Sequence, residues 1–100
     1  MIVITGIVRA ADASAYASLK GAMETMLAET RKEDGCLRYN FAIDVLDPTV
    51  MVITEAWRDG DAVKAHATSA HMAEWRKAMG GANMVERDLR MYNTDEGTAI

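Results

Sequence analysis

The order of strand-like and helix-like segments is the feature that most constrains what this chain can fold into. β-Branched and other apolar residues alternate along four segments, and amphipathic helical spacing follows the first and the third of them. The strand segments are residues 2–10, 36–44, 50–58 and 84–92, and the helical segments are residues 12–30 and 59–79. The resulting order is β-α-β-β-α-β.

Two interleaved right-handed β-α-β crossovers give a four-stranded antiparallel sheet with its helices on one face. We therefore predict an α+β domain of the ferredoxin-like type over residues 1–93, followed by a frayed tail over residues 94–100. One hundred residues with a single proline and no low-complexity run correspond to one domain.

The first three strand segments are apolar on both of their alternating faces. In the third, Met51, Ile53 and Trp57 share one face, and residues 50, 52 and 56 give the other face Val, Val and Ala. Helices cover only one face of such a sheet, so the second face needs another partner. A second copy of the same sheet, related by a two-fold axis, is the simplest one, and we predict a homodimer with its sheets packed face to face.

Local signals set the ends of the helical segments. Asp12 and Asp59 are placed to cap the starts of the two segments. The pair Thr68-Ser69 predicts a break within the second segment, with Ser69 capping the part that follows, and Gly80-Gly81 predicts its end.

Composition and charge exclude several classes of function. A net charge of −4 with dispersed Lys and Arg does not give the basic face that nucleic acids require. No basic leader precedes an apolar run, and no apolar run reaches the roughly 18 residues of a membrane span, so we expect no signal peptide and no membrane segment. Cys36 is the only cysteine; it fits a core residue in a reducing compartment, and we expect a cytoplasmic protein.

Residues 55–75 hold most of the chemistry-bearing side chains. Glu55 lies in a strand that should be buried, where an ionised carboxylate is costly unless it is paired. Glu55 and Trp57 share a strand face, which we expect to point towards the helices. His66 and His71 are five apart and diverge by about 140° on a straight helix, so only the break at Thr68-Ser69 would bring them together.

Alternative interpretations remain for each of these residues. His66 is either a proton-handling group over a cavity, with its ring oriented by Glu55, or a buried partner of Glu55 that only joins helix to sheet. Trp57 is either core or the aromatic wall of a site, and His71 suits solvent exposure or helix packing. Two histidines and one glutamate are potential metal ligands, but the spacing differs from the H-x-x-x-H of a helical zinc site, so we expect no metal.

Several short motifs, read together, resemble the antibiotic biosynthesis monooxygenase (ABM) domain family. They are E-D-G-C-L-R-Y at residues 33–39, Asp47-Pro48, E-A-W-R-D at residues 55–59, A-V-K-A-H at residues 62–66, and Ser69 with His71-Met72. The resemblance covers residues 2–92. It implies a dimeric α+β barrel, in agreement with the topology predicted above.

This resemblance also implies a function. Well-described members of the family oxidise phenolic or quinol-like compounds with molecular oxygen and without metal, flavin or haem. The resemblance therefore implies no cofactor, and it implies a small aromatic ligand and a second copy of the chain as partners. By resemblance, His66 handles protons with Asn40 as its polar partner, and Trp57 completes the catalytic set. We place the substrate pocket at Tyr39, Glu55, His71 and Tyr16.

Two functions therefore remain open. One is a cofactor-independent monooxygenase, and the other is a non-catalytic or isomerase-type barrel that binds a small metabolite, since the same fold hosts several activities. Haem degradation fits less well, because haem-degrading relatives carry an asparagine in the first strand and the corresponding I-T-G-I-V-R-A has none.

Overall fold

A computed structural model describes all residues from 1 to 100. Its elements are β1 (Ile2–Ala10), α1 (Ser14–Ser18), α2 (Lys20–Arg31), β2 (Cys36–Ile43), β3 (Val50–Trp57), α3 (Gly60–Ala67), α4 (Ala70–Gly80) and β4 (Met84–Asn93). The four strands form one sheet in the order β2-β3-β1-β4, and every neighbouring pair is antiparallel. The predicted α+β, ferredoxin-like arrangement is confirmed.

Each helical segment is divided in two. The sequence predicts one continuous helix over residues 12–30, but Leu19 separates α1 from α2. The second breaks at Thr68 and Ser69, as predicted, and the Ser69 hydroxyl accepts a hydrogen bond from the backbone N–H of Met72 at the start of α4. Asp59 caps α3 in the same way by accepting from the N–H of Ala62.

The core lies between the helices and one face of the sheet. Val8 and Trp57 of the sheet are buried in the same cluster as Tyr16, Met26, Ala62 and Trp75, one residue from each helix. Glu55 and Trp57 therefore point towards the helices, as expected. The opposite face carries residues such as Val3, Ile7 and Val52, which are half-buried.

Gly6 in the middle of β1 allows a close approach of the backbone. Its φ of +152° is rare for side-chain-bearing residues, and a Cβ there would collide with the backbone carbonyl of Asp88 in β4. The backbone that approaches Gly6 is therefore that of the neighbouring strand β4.

Residues 94–100 form no helix or strand, and the expectation that they fray stays a prediction. None of the helices has the length and hydropathy needed to span a bilayer.

Candidate functional site

A cavity of about 310 Å³ lies between the sheet and α4. Its apolar walls come from Val8, Ile53, Met72, Trp75, Met79 and Leu89. Four polar residues join them, namely Tyr39, Glu55, Arg76 and Arg87. An apolar cavity with a few converging polar groups is the usual form of a small-molecule site.

Glu55 is the buried carboxylate of this cavity. The indole Nε1–H of Trp57, two residues further along β3, donates to Glu55 Oε2 at 2.9 Å. Burial raises the pKa of Glu55 above its ordinary value, and the Trp57 hydrogen bond and the charges of His66 and Arg87 oppose that rise. A carboxylate with a raised pKa in an apolar cavity has the properties of a general base.

Tyr39 contributes a buried phenol beside Glu55. The two residues are paired across β2 and β3, and only 3% of Tyr39 is exposed. Burial, together with the negative charges of Glu55 and Glu33, raises the pKa of its hydroxyl far above the ordinary value. The hydroxyl therefore stays protonated at neutral pH and is available as a hydrogen-bond donor.

Glu33, His66 and His71 form a polar cluster outside the cavity lining. His66 Nδ1 lies 2.6 Å and His71 Nε2 lies 3.2 Å from Glu33 Oε2. The break between α3 and α4 brings the two rings within 6.0 Å of each other, as the sequence indicated. All three side chains are less than a fifth exposed.

The predicted pairing of His66 with Glu55 is wrong, because the partner of His66 is Glu33. Glu33 lies in the turn between α2 and β2, where its backbone carbonyl accepts from the N–H of Cys36. Sequence reasoning had not included it among the site residues, although it stands in the E-D-G-C motif. That motif was the available signal.

His66 and Trp57 pack together behind the cavity wall. Their ring centroids are 4.7 Å apart, and Trp57 is 0% exposed. Tyr39 meets the His66 ring at 5.4 Å, edge to face. His66 Nε2 is buried without a hydrogen-bond partner. Neither His66 nor Trp57 is among the residues that line the cavity, so both support Tyr39 and Glu55 from behind.

The same cluster has the donor set of a metal site. One ligand-type atom from each of Glu33, His66 and His71 lies within 4.8 Å of the others. Two imidazoles and a carboxylate are ligands that suit zinc and other divalent transition metals. In the structure, Glu33 Oε2 instead accepts hydrogen bonds from both rings.

Three further expected site residues do not line the cavity. Asn40 pairs with Thr54 on the sheet face opposite the cavity, is exposed, and accepts from Arg31 Nη2 at 3.0 Å, so it is not the polar partner of His66. Tyr16 packs next to Val8 but is not among the lining residues, and its hydroxyl donates to the backbone carbonyl of Thr49 at 2.7 Å. His71 joins the Glu33 cluster and does not line the cavity.

The structure is a ferredoxin-like α+β domain with a small, mostly apolar cavity that contains a carboxylate and a phenol. The family model of the antibiotic biosynthesis monooxygenases matches residues 3–78, and the chain belongs to that family. A comparison with curated proteins gave no match.

Solved structures agree with this assignment. A candidate antibiotic biosynthesis monooxygenase from Deinococcus radiodurans is 27% identical, with a TM-score of 0.89 over 100% of this chain and 98% of that chain. One from Nitrosomonas europaea is 23% identical, with a TM-score of 0.82 over 94% of this chain and 98% of that chain. Rv0793 from Mycobacterium tuberculosis is 20% identical, with a TM-score of 0.83 over 99% of this chain and 100% of that chain. The latter two show the shared fold.

Proposed function

We propose that the chain is a cofactor-independent monooxygenase that oxidises a small quinol or phenol with molecular oxygen. The observation that carries this proposal is the Glu55 carboxylate, with its raised pKa, in an apolar cavity beside Tyr39. Membership of the family supports the general class.

The chemistry needs little from the protein. Glu55 accepts the proton of a substrate hydroxyl, and the resulting phenolate passes one electron to oxygen. The two radicals combine through a new carbon–oxygen bond, and the peroxide formed loses water. For hydroquinone, one molecule of quinol and one of oxygen give one hydroxyquinone and one water, so the substrate supplies all the electrons and no other reductant is required.

The surrounding residues have supporting roles in this scheme. The apolar walls keep water from the phenolate and the radical pair. Tyr39, which remains protonated, donates a hydrogen bond to the substrate oxyanion. Trp57 orients Glu55 through its indole N–H, and His66 supports Tyr39 and Trp57 by packing. The proton acceptor that was expected at His66 is thus assigned to Glu55, which lines the cavity.

Oxygen uptake with hydroquinone tests the proposal. We expect Glu55→Gln to lower kcat by about 100-fold or more, because the amide keeps the shape and the Trp57 contact but accepts no proton. Glu24→Gln, on the exposed side of α2, is the matched control and should behave as the wild type. Uptake by Glu55→Gln equal to that of the wild type would refute the role of Glu55.

A second candidate is an isomerase-type barrel that binds a small metabolite. Glu55 and Tyr39 line one cavity, and a base beside a donor is what proton transfer between neighbouring carbons of a carbonyl compound requires. Exchange of substrate carbon-bound hydrogen with deuterated solvent, without any oxygen uptake, would favour this function.

We also propose that the working form is a homodimer joined through the open faces of the sheets. Half-buried apolar residues on that face, such as Val3, Ile7 and Val52, support this arrangement. Light scattering should give twice the mass of 10.9 kDa, and a stable monomer at micromolar concentration would contradict it. The cytoplasm is the proposed location, because the single cysteine is free.

A further inference from the structure

We propose that the cavity takes a one-ring aromatic substrate that carries an anionic group, such as a carboxylate, and that Arg87 and Arg76 bind this group. The aromatic ring rests on the proposed function, whereas the anionic group rests on the two arginines. No other cationic side chain lines the cavity.

Arg87 is the first of these arginines. It lies on β4, opposite Val8 of β1, and faces the cavity. Its charged neighbours on β4 are already paired: Glu86 accepts from Arg9, and Asp88 accepts from Arg90. Arg87 makes no hydrogen bond or ion pair within the chain, so its guanidinium is free to bind a ligand.

Arg76 reaches the cavity from the helix side. It lies on α4, and its Nη2 donates to the backbone carbonyl of Ala67 at the end of α3, at 2.9 Å. That bond holds the side chain in place and uses one of its five N–H donors. The remaining donors are available, and a guanidinium matches the planar geometry of a carboxylate in a bidentate contact.

Arg76 and Arg87 are exposed at the rim of the cavity, and the balance of charge around it favours an anion. Its lining holds two arginines and one carboxylate, which gives a net charge of +1 with Glu55 ionised, whereas the whole chain carries −4. Glu55 is bonded to Trp57 and forms no ion pair with Arg87, so the arginine is not consumed as its counterion. A positive site in an acidic protein attracts anionic ligands and disfavours cationic ones.

The volume limits the size of the ring system. A cavity of about 310 Å³ lies at the small end of ligand sites, which span roughly 300–1,000 Å³. One benzene ring with a few substituents suits it. Gentisate, which is hydroquinone with one added carboxylate, is therefore a fitting probe, and hydroquinone is its neutral match.

Binding is measured by calorimetry in the absence of oxygen, so that no turnover occurs. We expect gentisate to bind the wild type at least about tenfold more tightly than hydroquinone at low salt, with the difference shrinking as salt is raised. Arg87→Gln should weaken gentisate binding by about tenfold and leave hydroquinone within about twofold.

Three further variants make the result specific. Arg87→Lys keeps the charge and should recover part of the gentisate affinity. Arg76→Gln should also weaken gentisate selectively, and Arg90→Gln is the matched control, since Arg90 lies on the same strand but pairs with Thr5 on the opposite face. Circular dichroism and the melting temperature of each variant establish that it is folded.

Equal affinities of the wild type for the two probes, or an equal loss of both in Arg87→Gln, would overturn the proposal. Its failure is distinct from that of the proposed function. If the protein oxidises hydroquinone but does not bind gentisate more tightly, the proposed monooxygenase function stands and the proposed anion site is refuted. If gentisate binding depends on the arginines but neither probe gives oxygen uptake, the proposed anion site stands and the proposed monooxygenase function is refuted.

Discussion

The imidazole Nδ1 of His66 lies 2.6 Å from the carboxylate of Glu33, a residue 33 positions earlier in the chain. This contact joins α3 to the turn between α2 and β2, and His71 adds a second bond from α4 to the same oxygen. These two contacts therefore connect α3, α4 and the α2–β2 turn directly behind Tyr39 and Trp57.

The first prediction concerns the stability that this cluster contributes. Glu33→Ala leaves the buried Nδ1 of His66 without an acceptor, so the free energy of unfolding should fall by about 1–3 kcal/mol. Glu29→Ala removes an exposed carboxylate that contacts only Lys32, and should change it by less than about 0.5 kcal/mol. Urea denaturation measures both, and equal stabilities for the two variants would show that the cluster is not structural.

The second prediction uses the raised pKa of Glu55. Between the unfolded-state value of 4.5 and the higher pKa of the folded state, the folded protein binds more protons, so its stability falls as pH rises through that window. Glu55→Gln has no such titration, so its stability does not fall in this way. The free energy of unfolding of the variant minus that of the wild type should rise across this window by about 1.4 kcal/mol for each unit by which the folded-state pKa of Glu55 exceeds the unfolded-state pKa. Denaturation curves from pH 4 to 8 measure it, with Glu24→Gln as the control that should follow the wild type throughout.

The extent to which the sequence determined these features differs between fold and site. Strand alternation, helical periodicity and the caps at Asp59 and Ser69 are local signals, and all of them correspond to observed elements. The same alternation places Tyr39 and Asn40 on opposite faces of β2, which is why only Tyr39 reaches the cavity. Strand periodicity therefore excludes Asn40 from the site.

The contacts within the site depend on the tertiary fold. The bond from His66 to Glu33 requires the angle between α3 and α4 and the path of the α2–β2 turn, and no local pattern specifies either. The sequence also does not specify how deeply each side chain is buried. Trp57 and Glu55 share a strand face, but tertiary packing decides that the carboxylate lines the cavity and that the indole lies behind it.

The third prediction isolates the hydroxyl of Tyr39. Tyr39→Phe removes only that oxygen and leaves the hydrogen bond from Arg31 Nε to the backbone carbonyl of residue 39, so the melting temperature should stay within a few degrees of the wild type. If the hydroxyl stabilises the substrate oxyanion, kcat for hydroquinone oxidation should fall by about 10- to 100-fold. Phe41→Leu is a control for aromatic packing next to Tyr39, and a fall in kcat as large as that of Tyr39→Phe would point to packing instead.

The fourth prediction concerns metal. The proposed reaction is independent of a cofactor, so treatment with a chelator followed by dialysis should leave oxygen uptake unchanged. If uptake is lost and zinc or another divalent metal restores it, the Glu33, His66 and His71 cluster is a functional metal centre, and His71→Ala should abolish the recovery. Metal analysis of the untreated protein completes this experiment.

The fifth prediction concerns the hydrogen bond from Trp57 to Glu55. This bond stabilises the ionised carboxylate, so Trp57→Phe should raise the pKa of Glu55 further. Oxygen uptake depends on ionised Glu55 in the proposed scheme, and the acidic limb of its pH profile should therefore move to higher pH in the variant. Trp75→Phe, which changes an indole of the cavity wall that makes no bond to Glu55, should leave the midpoint of that limb in place. A limb that stays fixed in Trp57→Phe would mean that Glu55 is not the group whose ionisation controls the reaction.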